Sequence, residues 1–333
     1  MKCLFILDPI STLDPGHDTT VALMEATQNR QHSVWITEMA TLGVTAGQAW
    51  ALAQPVTLEP VRWLNDRWQI PQPWFHLGEK EPVKLEDFAV VWMRKDPPVT
   101  IPYLYATYIL DYVNPEKTLV VNRPEGLRAA NEKMYALQFK TVIPETIVTQ
   151  SKDTIKAFLA QRDGAVLKPL GGKAGEGILF LHRDDRNLNS LIEISTHQGQ
   201  TPVMVQQFLP EAKLGDKRII LLNGEPIGAV NRVPTGAEFR GNMAVGGRVE
   251  VTPITERDRL ICEQVAPALQ RDGLYFVGID VIGDYLTEVN VTSPTGIREI
   301  DRLNNLCLGD RVVEWLEKTI ARSICASNSA SLT

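Results

Sequence analysis

Three oxygen-bearing side chains interrupt two apolar runs late in the chain. Asp280 lies in residues 276–282, and Glu288 and Asn290 lie in 285–291. Residues two apart on a strand share a face, so Glu288 and Asn290 point the same way. Such groups are costly to dehydrate unless something offsets the charge. A hard cation is the natural partner, because Mg²⁺ takes carboxylate and carbonyl oxygens and keeps positions for water or substrate phosphates. Pairing constrains the idea. A strict two-residue turn at Gly283-Asp284 sets Asp280 opposite Thr287 and turns Glu288 to the other face. A three-residue loop or a bulge brings Asp280 and Glu288 together. The alternative is a hairpin with outward-facing acids.

Cations and glycines lie upstream. Lys168 sits inside the apolar run 165–170, which leads into seven residues from Gly171 to Gly177 and then into another strand, 178–181. Glycines between two strands exclude a Walker loop or a dinucleotide fingerprint, both of which open a helix. They suit a hairpin flap whose amides close over phosphates, the alternative being a glycine hairpin with no ligand. Lys133 falls in an expected short helix, 131–139. Arg218 and Arg232 lie near the ends of a hairpin, 216–222 and 225–233, turning at Asn223-Gly224. Residues 234–248 hold four glycines with Arg240 and Arg248 and read as a basic lid or, failing that, a solvated loop. Arg94 follows the apolar strand 88–93, at the end where open α/β sheets bind ligands. Lysines and a flap suit nucleotide phosphates, oxygen ligands suit a bridging cation, and arginines suit carboxylates and developing phosphoryl charge. No Ser-His-Asp or Cys-His arrangement can be read, so the set points to activation of a carboxylate by ATP.

Strand, helix, strand over 2–7, 18–30 (Asp18 as N-cap) and 33–37 is a doubly wound α/β signature. Residues 51–80 read as irregular short strands, 103–112 as a helix and 118–121 as a strand, with a boundary near 122–124. A strand at 203–208, a helix at 256–271 and a last helix from about 310 to 321 complete the reading. At 333 residues the chain suits two or three lobes. A net charge of -6 gives no support for nucleic-acid binding. Four cysteines without metal spacing suggest a reducing cytosol. The apolar start is too short for a signal peptide and no run approaches a membrane span, so a cytoplasmic protein is expected.

LKPLGGKAGEGI (167–178), VMVQQFLP (203–210) and GIDVIGDYLTEVNVTSP (278–294) together resemble the ATP-grasp superfamily. More narrowly, MRKDPP at 93–98, NEK at 131–133, GDKR at 215–218, GNMAVGGR at 241–248 and TEVNVTSPTGIREI at 287–300 resemble prokaryotic glutathione synthetases. The resemblance covers nearly the whole chain and is weakest at 40–85. It implies an α/β fold (α+β lobes): an N-terminal doubly wound α/β domain (1–122), then a two-lobed ATP-grasp domain (123–320) and a tail (321–333). The lid lobe would span about 140–203 and the catalytic lobe about 204–320. It implies ligation of γ-glutamylcysteine to glycine with ATP as co-substrate and Mg²⁺ (or Mn²⁺), through an acyl phosphate. ATP contacts would come from Lys133, Lys168, Gly172, Gly175, Gly177, Gln206, Gln207, Phe208, Leu209 and Asp216, and metal contacts from Asp280, Glu288 and Asn290. Arg218, Arg232 and Arg248 would be catalytic. Arg94, Arg240, Asn242, Ser293, Pro294 and Thr295 would bind substrate. A homo-oligomer, by resemblance a tetramer, is also implied. Gly171 and Lys173 depart from the family flap, which begins with an acid and carries Met, and Ala174 replaces a glycine. Other ATP-grasp ligases, joining D-alanines or adding glutamate, and a non-catalytic nucleotide-binding protein are the alternatives.

Overall fold

Alternation along the first strand sets the architecture. In the computed structural model, which describes residues 1–172, 175–235 and 247–330 (323–330 by backbone alone), β1 (Lys2–Leu7) sends Cys3, Phe5 and Leu7 into one core and Leu4 and Ile6 into another. Both faces must therefore be covered. One cover is α1 (Thr19–Asn29), whose N-cap Asp18 accepts from the amides of Thr20 and Val21. β2 (Ser33–Glu38) runs parallel to β1. β3 (Leu42–Thr45) and β4 (Gln48–Leu58) pair antiparallel, so the region expected as irregular opens with one long strand. β5 (Arg62–Leu64) and β6 (Arg67–Gln69) form a separate ribbon. β7 (Phe75–Leu77) and β8 (Glu81–Lys84) add to β4, and β9 (Val90–Met93) returns parallel beside β1. α2 (Ile101–Leu110) covers the second face with Tyr103, Ala106 and Leu110, and β10 (Leu119–Val121) closes the order β10-β9-β1-β2-β4-β3. The doubly wound expectation holds, with a crevice where growth of the sheet reverses between β1 and β9.

After α3 (Pro124–Ala129) come β11 (Thr146–Thr149), α4 (Lys152–Ala160), β12 (Ala165–Pro169), β13 (Leu179–Leu181), α5 (Leu188–Ser195) and β14 (Val203–Gln207). The strands form an antiparallel sheet, β11-β14-β12-β13, packed on its two helices. β15 (Asp216–Leu222), β16 (Glu225–Val233), β17 (Arg248–Val251), α6 (Glu256–Arg271), β18 (Phe276–Ile282) and β19 (Tyr285–Asn290) build a five-stranded sheet, β17-β16-β15-β18-β19. α7 (Ile297–Asn304) and α8 (Leu308–Ala330) end the described chain.

Two expectations are corrected. Lys133 precedes a 3-10 turn, Met134–Gln138, and does not lie in a helix over 131–139. The Asn131 side chain accepts from the amides of Lys133 and Met134 and tightens the chain there. The last helix does not stop near 321 but continues to Ala330, because nothing between 322 and 330 is Gly or Pro. It also packs back on α1, where a side chain at Gly309 would come 2.9 Å from the Ala26 methyl.

Candidate active site

The β18–β19 hairpin resolves the pairing question by a bulge. Its turn has two residues, Gly283 and Asp284, with Gly283 at φ 56°. That turn alone would put Glu288 on the wrong face. Register shifts between Asp280 and Val281, so Asp280 pairs with Glu288 and Thr287 is the extra residue. The Thr287 hydroxyl donates to the carbonyl of Asp280 at 3.1 Å and braces the kink. Asn290 donates through Nδ2 to Gly278 O and to Asp280 Oδ2, each at 3.2 Å, which leaves its Oδ1 as the available donor atom for a cation.

β15 and β16 supply the countercharge. Arg218 grips Asp280 with two donors, Nε at 2.5 Å and Nη2 at 2.9 Å. Arg232 bridges Asp280 at 3.0 Å and Asp216 at 2.6 Å. Burial alone would raise the Asp280 pKa, but the two guanidinium charges outweigh it and hold the carboxyl below the usual range. Asp216 is pushed the other way, up to about 6, by burial; Arg232 opposes the rise and the charge of Asp280 adds to it. Its Oδ1 is buried without a hydrogen-bond partner.

The lysines approach from the other sheet. Leu167 and Val205 face the core under α4 and α5, so the alternate residues Val166, Lys168 and Gln206 face the cleft. Lys168 donates to Gln206 Oε1 at 2.8 Å, and Gln206 Nε2 donates to Thr146 at 3.0 Å. Desolvation draws the Lys168 pKa down, with Glu288 and Asp216 acting against it. Lys133 Nζ lies 3.1 Å from Glu288 Oε1 and 3.2 Å from Gly172 O, so it links the hairpin to the base of the flap. Gly177 ends the flap at φ 68°, where a Cβ would sit 2.8 Å from the Pro169 ring.

One cleft is lined by every expected ATP and metal residue except Gly177, and by Arg218, Arg232 and Ser293 to Thr295. Phe208 packs edge-on to Phe180 at 4.9 Å, and Leu209 is buried. The side chain of Gln206 is held between Lys168 and Thr146. Arg94 lies behind the wall. It donates to Thr20 Oγ1 at 3.1 Å and to Pro294 O at 3.0 Å, so it holds the loop that lines the cleft. Arg248 is not brought to the cleft. It opens β17 at the sheet edge, largely exposed, and pairs with Glu250. Arg240 and Asn242, with most of the lid expected at 234–248, lie outside the described residues.

Two residues were missed from sequence. Glu132 Oε1 accepts from the amides of Val291 and Thr292 and from the Thr292 hydroxyl, at 2.8–3.0 Å, and so clips the end of β19. Burial, then the charge of Glu288, raises its pKa. Asn122 bonds Phe276 N, Phe276 O and Val291 O, tying β18 to the end of β19. Glu132 adjoins Lys133 in the motif read for its lysine; Asn122 carried no local signal.

Two carboxylates and an amide oxygen on one hairpin face are hard donors of the kind Mg²⁺ or Mn²⁺ takes. Among the described residues, no three His, Cys, Asp or Glu side chains gather as a metal cluster, so the amide is needed to complete a trio.

The family model described as prokaryotic glutathione synthetase, N-terminal domain, matches residues 1–128, and its ATP-grasp domain matches 132–305. A glutathione synthetase of Synechococcus elongatus is 68% identical over 96% of this chain and 99% of the relative. One of Thermosynechococcus vestitus is 67% identical over 95% and 99%. Among solved structures, the ATP-grasp ligase PsnB complexed with a minimal precursor covers 94% of this chain and 97% of its own, with TM-score 0.61 and 17% identity. The macrocyclase MdnC from Microcystis aeruginosa covers 96% and 100%, with TM-score 0.64 and 14% identity, a likeness of fold alone.

Proposed function

The chain belongs to the prokaryotic glutathione synthetase family, and on that premise we propose how its cleft joins γ-glutamylcysteine to glycine. The cysteinyl carboxylate attacks the γ-phosphorus of ATP, and ADP leaves. The amine of glycine attacks the resulting acyl phosphate, phosphate leaves, the amine loses a proton, and the peptide bond of glutathione forms. The observation that carries this assignment is the bulge that sets Asp280 against Glu288 in the same cleft as Lys133, Lys168, Arg218 and Arg232.

Lys133 and Lys168 bind phosphates from the flap side, with Gly172 and Gly175 offering backbone above them. Gln207 to Leu209 border the adenine, and Asp216 completes the nucleotide site. Arg218 and Arg232, fixed on Asp216 and Asp280, stabilise charge on the transferring phosphoryl group. Arg94 orients the Ser293–Thr295 loop against the dipeptide and glycine. Asp280, Glu288 and Oδ1 of Asn290 would hold Mg²⁺ or Mn²⁺, which when bound offsets phosphate charge and polarises the transferred group. Closure over the cleft excludes water, which would otherwise hydrolyse the acyl phosphate. No helix among the described residues is long and apolar enough to cross a membrane. A cytoplasmic, homo-oligomeric enzyme is part of the same proposal.

Phosphate release with ATP, γ-glutamylcysteine and glycine, each omitted in turn, tests the reading. Release should require all three for glutathione to accumulate. Turnover with D-alanine or glutamate acceptors in their place would redirect it to another ATP-grasp ligase.

A further inference from the structure

Four consecutive residues, His17-Asp18-Thr19-Thr20, hold one segment of the cleft wall from outside. Thr20 Oγ1 accepts from Arg94, whose other donor reaches Pro294 O. Thr19 Oγ1 accepts from the amides of Gly296 and Ile297 at 3.1 and 3.3 Å. Asp18 caps α1 and so fixes both hydroxyls on its first turn. His17 completes the set, its Nδ1 lying 2.7 Å from Glu299 Oε1 on the first turn of α7. The segment so gripped, 293–299, opens with Ser293 to Thr295, which line the cleft, whereas none of the four residues that grip it does.

Glu299 is 1% exposed, and its Oε2 is buried without a hydrogen-bond partner. A carboxylate so buried needs a countercharge. Arg298, the adjacent cation on α7, is engaged by Glu25 of α1 at 2.8 Å. The imidazole of His17 is the group that meets Glu299, and with 57% of its side chain exposed it exchanges protons freely with solvent. We infer that the His17–Glu299 pair positions the substrate-facing loop 293–295, by setting the first turn of α7 against the N-terminus of α1. This rests on the catalytic reading above. Neither side chain meets a substrate; the pair acts through the backbone that leads into the loop. A dependence on pH follows. The groups facing His17 are Glu299 and Arg302 of α7 and Asp14 of its own loop, with the uncharged Trp68 of β6 edge-on at 6.4 Å. The hydrogen bond to Glu299 raises the His17 pKa; burial opposes it, the charges of Glu299 and Asp14 add to it, and Arg302 subtracts. The pair is thus charged on the acid side and loses its charge as pH rises through that raised value.

Steady-state kinetics of the full chain test this with His17→Ala, His17→Lys and Glu299→Gln, at about pH 6 and about pH 9, either side of a histidine titration. At the lower pH, His17→Ala should raise KM for γ-glutamylcysteine and for glycine roughly 2- to 5-fold, the scale of a half-exposed ion pair. KM for ATP should not move, and kcat should stay within about twofold, because Arg218 keeps both bonds to Asp280. At the higher pH the ratio of variant to wild-type KM should shrink; taking the ratio cancels titration of the substrates themselves. His17→Lys should match wild type at the lower pH and show the smaller KM at the higher. Glu299→Gln should behave as His17→Ala does and, by NMR of the ring protons, return His17 to an ordinary titration near about 6.5. Should Glu299→Gln fail to fold, the two variants at the exposed position 17 carry the test. KM values that rise together for all three substrates, a ratio that ignores pH, no rescue by lysine, or a His17 titration that Glu299→Gln leaves in place overturns the inference. A wild type that makes no glutathione sinks the catalytic reading and this inference with it. A wild type that makes it, with variants indistinguishable from it, sinks this inference alone.

Discussion

Lys168 carries its charge in a place that disfavours charge. Desolvation depresses its pKa, and its direct partner is the neutral Gln206. A cation so placed gains most when an anion arrives. Lys168→Met keeps much of the stem and removes the ammonium. We expect kcat/KM for ATP to fall roughly 10- to 100-fold, as for loss of one charge-assisted contact of ~1.5–3 kcal/mol. The unliganded melting temperature should hold or rise, since the desolvation cost goes too. Unchanged ATP kinetics would remove Lys168 from the site. Glu132 poses the opposite case, an anion whose work is structural. Glu132→Ala strips the acceptor from two backbone amides and a hydroxyl and should cost ~1–3 kcal/mol. Glu132→Gln keeps an oxygen in place and should cost less. Equal urea midpoints for the two variants would show that the clip does not hold β19.

The connection between α7 and α8 is where an element responds to pH. Asp301 on α7 accepts from the amide of Leu308, at the start of α8, at 2.8 Å. Burial is the main cause that lifts its pKa from 3.8 to about 7, the Leu308 hydrogen bond and Arg298 acting against it. Between those values the folded chain keeps a proton that the unfolded chain has released. Stability from this site is therefore greatest below about 3.8 and is lost as pH rises to about 7. Asp301→Asn keeps an oxygen for Leu308 without the charge. Its unfolding free energy should exceed that of wild type at pH above about 7, by on the order of 1–2 kcal/mol once partial exposure is discounted, and should converge with it near pH 4. A difference that persists at the acid end would rule out titration of Asp301 as the cause.

At the scale of the whole molecule, the last helix closes on the first. Leu308, Val312 and Leu316 of α8 share a core with Val21 and Leu23 of α1 and with Phe5 of β1. The chain's end thereby fastens the doubly wound domain to the sheet that carries Asp280. Leu316→Ala should cost ~2–4 kcal/mol as a buried truncation. The site itself is not touched, so KM for ATP at a temperature where the variant is folded should stay within about twofold. A rise in KM parallel to the loss of stability would show that docking of α8 also shapes the cleft.

The sequence by itself determined what depends on neighbours along the chain. The flap between β12 and β13, the Asn223-Gly224 hairpin and the Asp18 cap are local events, set by glycine freedom, turn chemistry and a side chain reaching its own helix's amides. The types of the phosphate and metal residues were legible for the same reason, since Lys168, Asp280 and Glu288 each stand against an apolar run. Only tertiary structure decided which of them meet. Strand period alone places Glu288 on the wrong face of a two-residue hairpin, and the bulge at Thr287 reverses that. Arg94 read as a substrate contact through resemblance; in the folded chain it is buried and donates to Thr20 Oγ1 on α1 and to the carbonyl of Pro294, contacts no local pattern announces. Arg248 read as catalytic from its motif, yet its place on the edge strand β17 keeps it apart from the cleft. Glu132 and Asn122 act on atoms about 150 residues away, and α8 docks on a helix nearly 290 residues earlier. Such contacts leave no periodic trace in the chain, because they depend on which surfaces remain apolar after every local choice has been made.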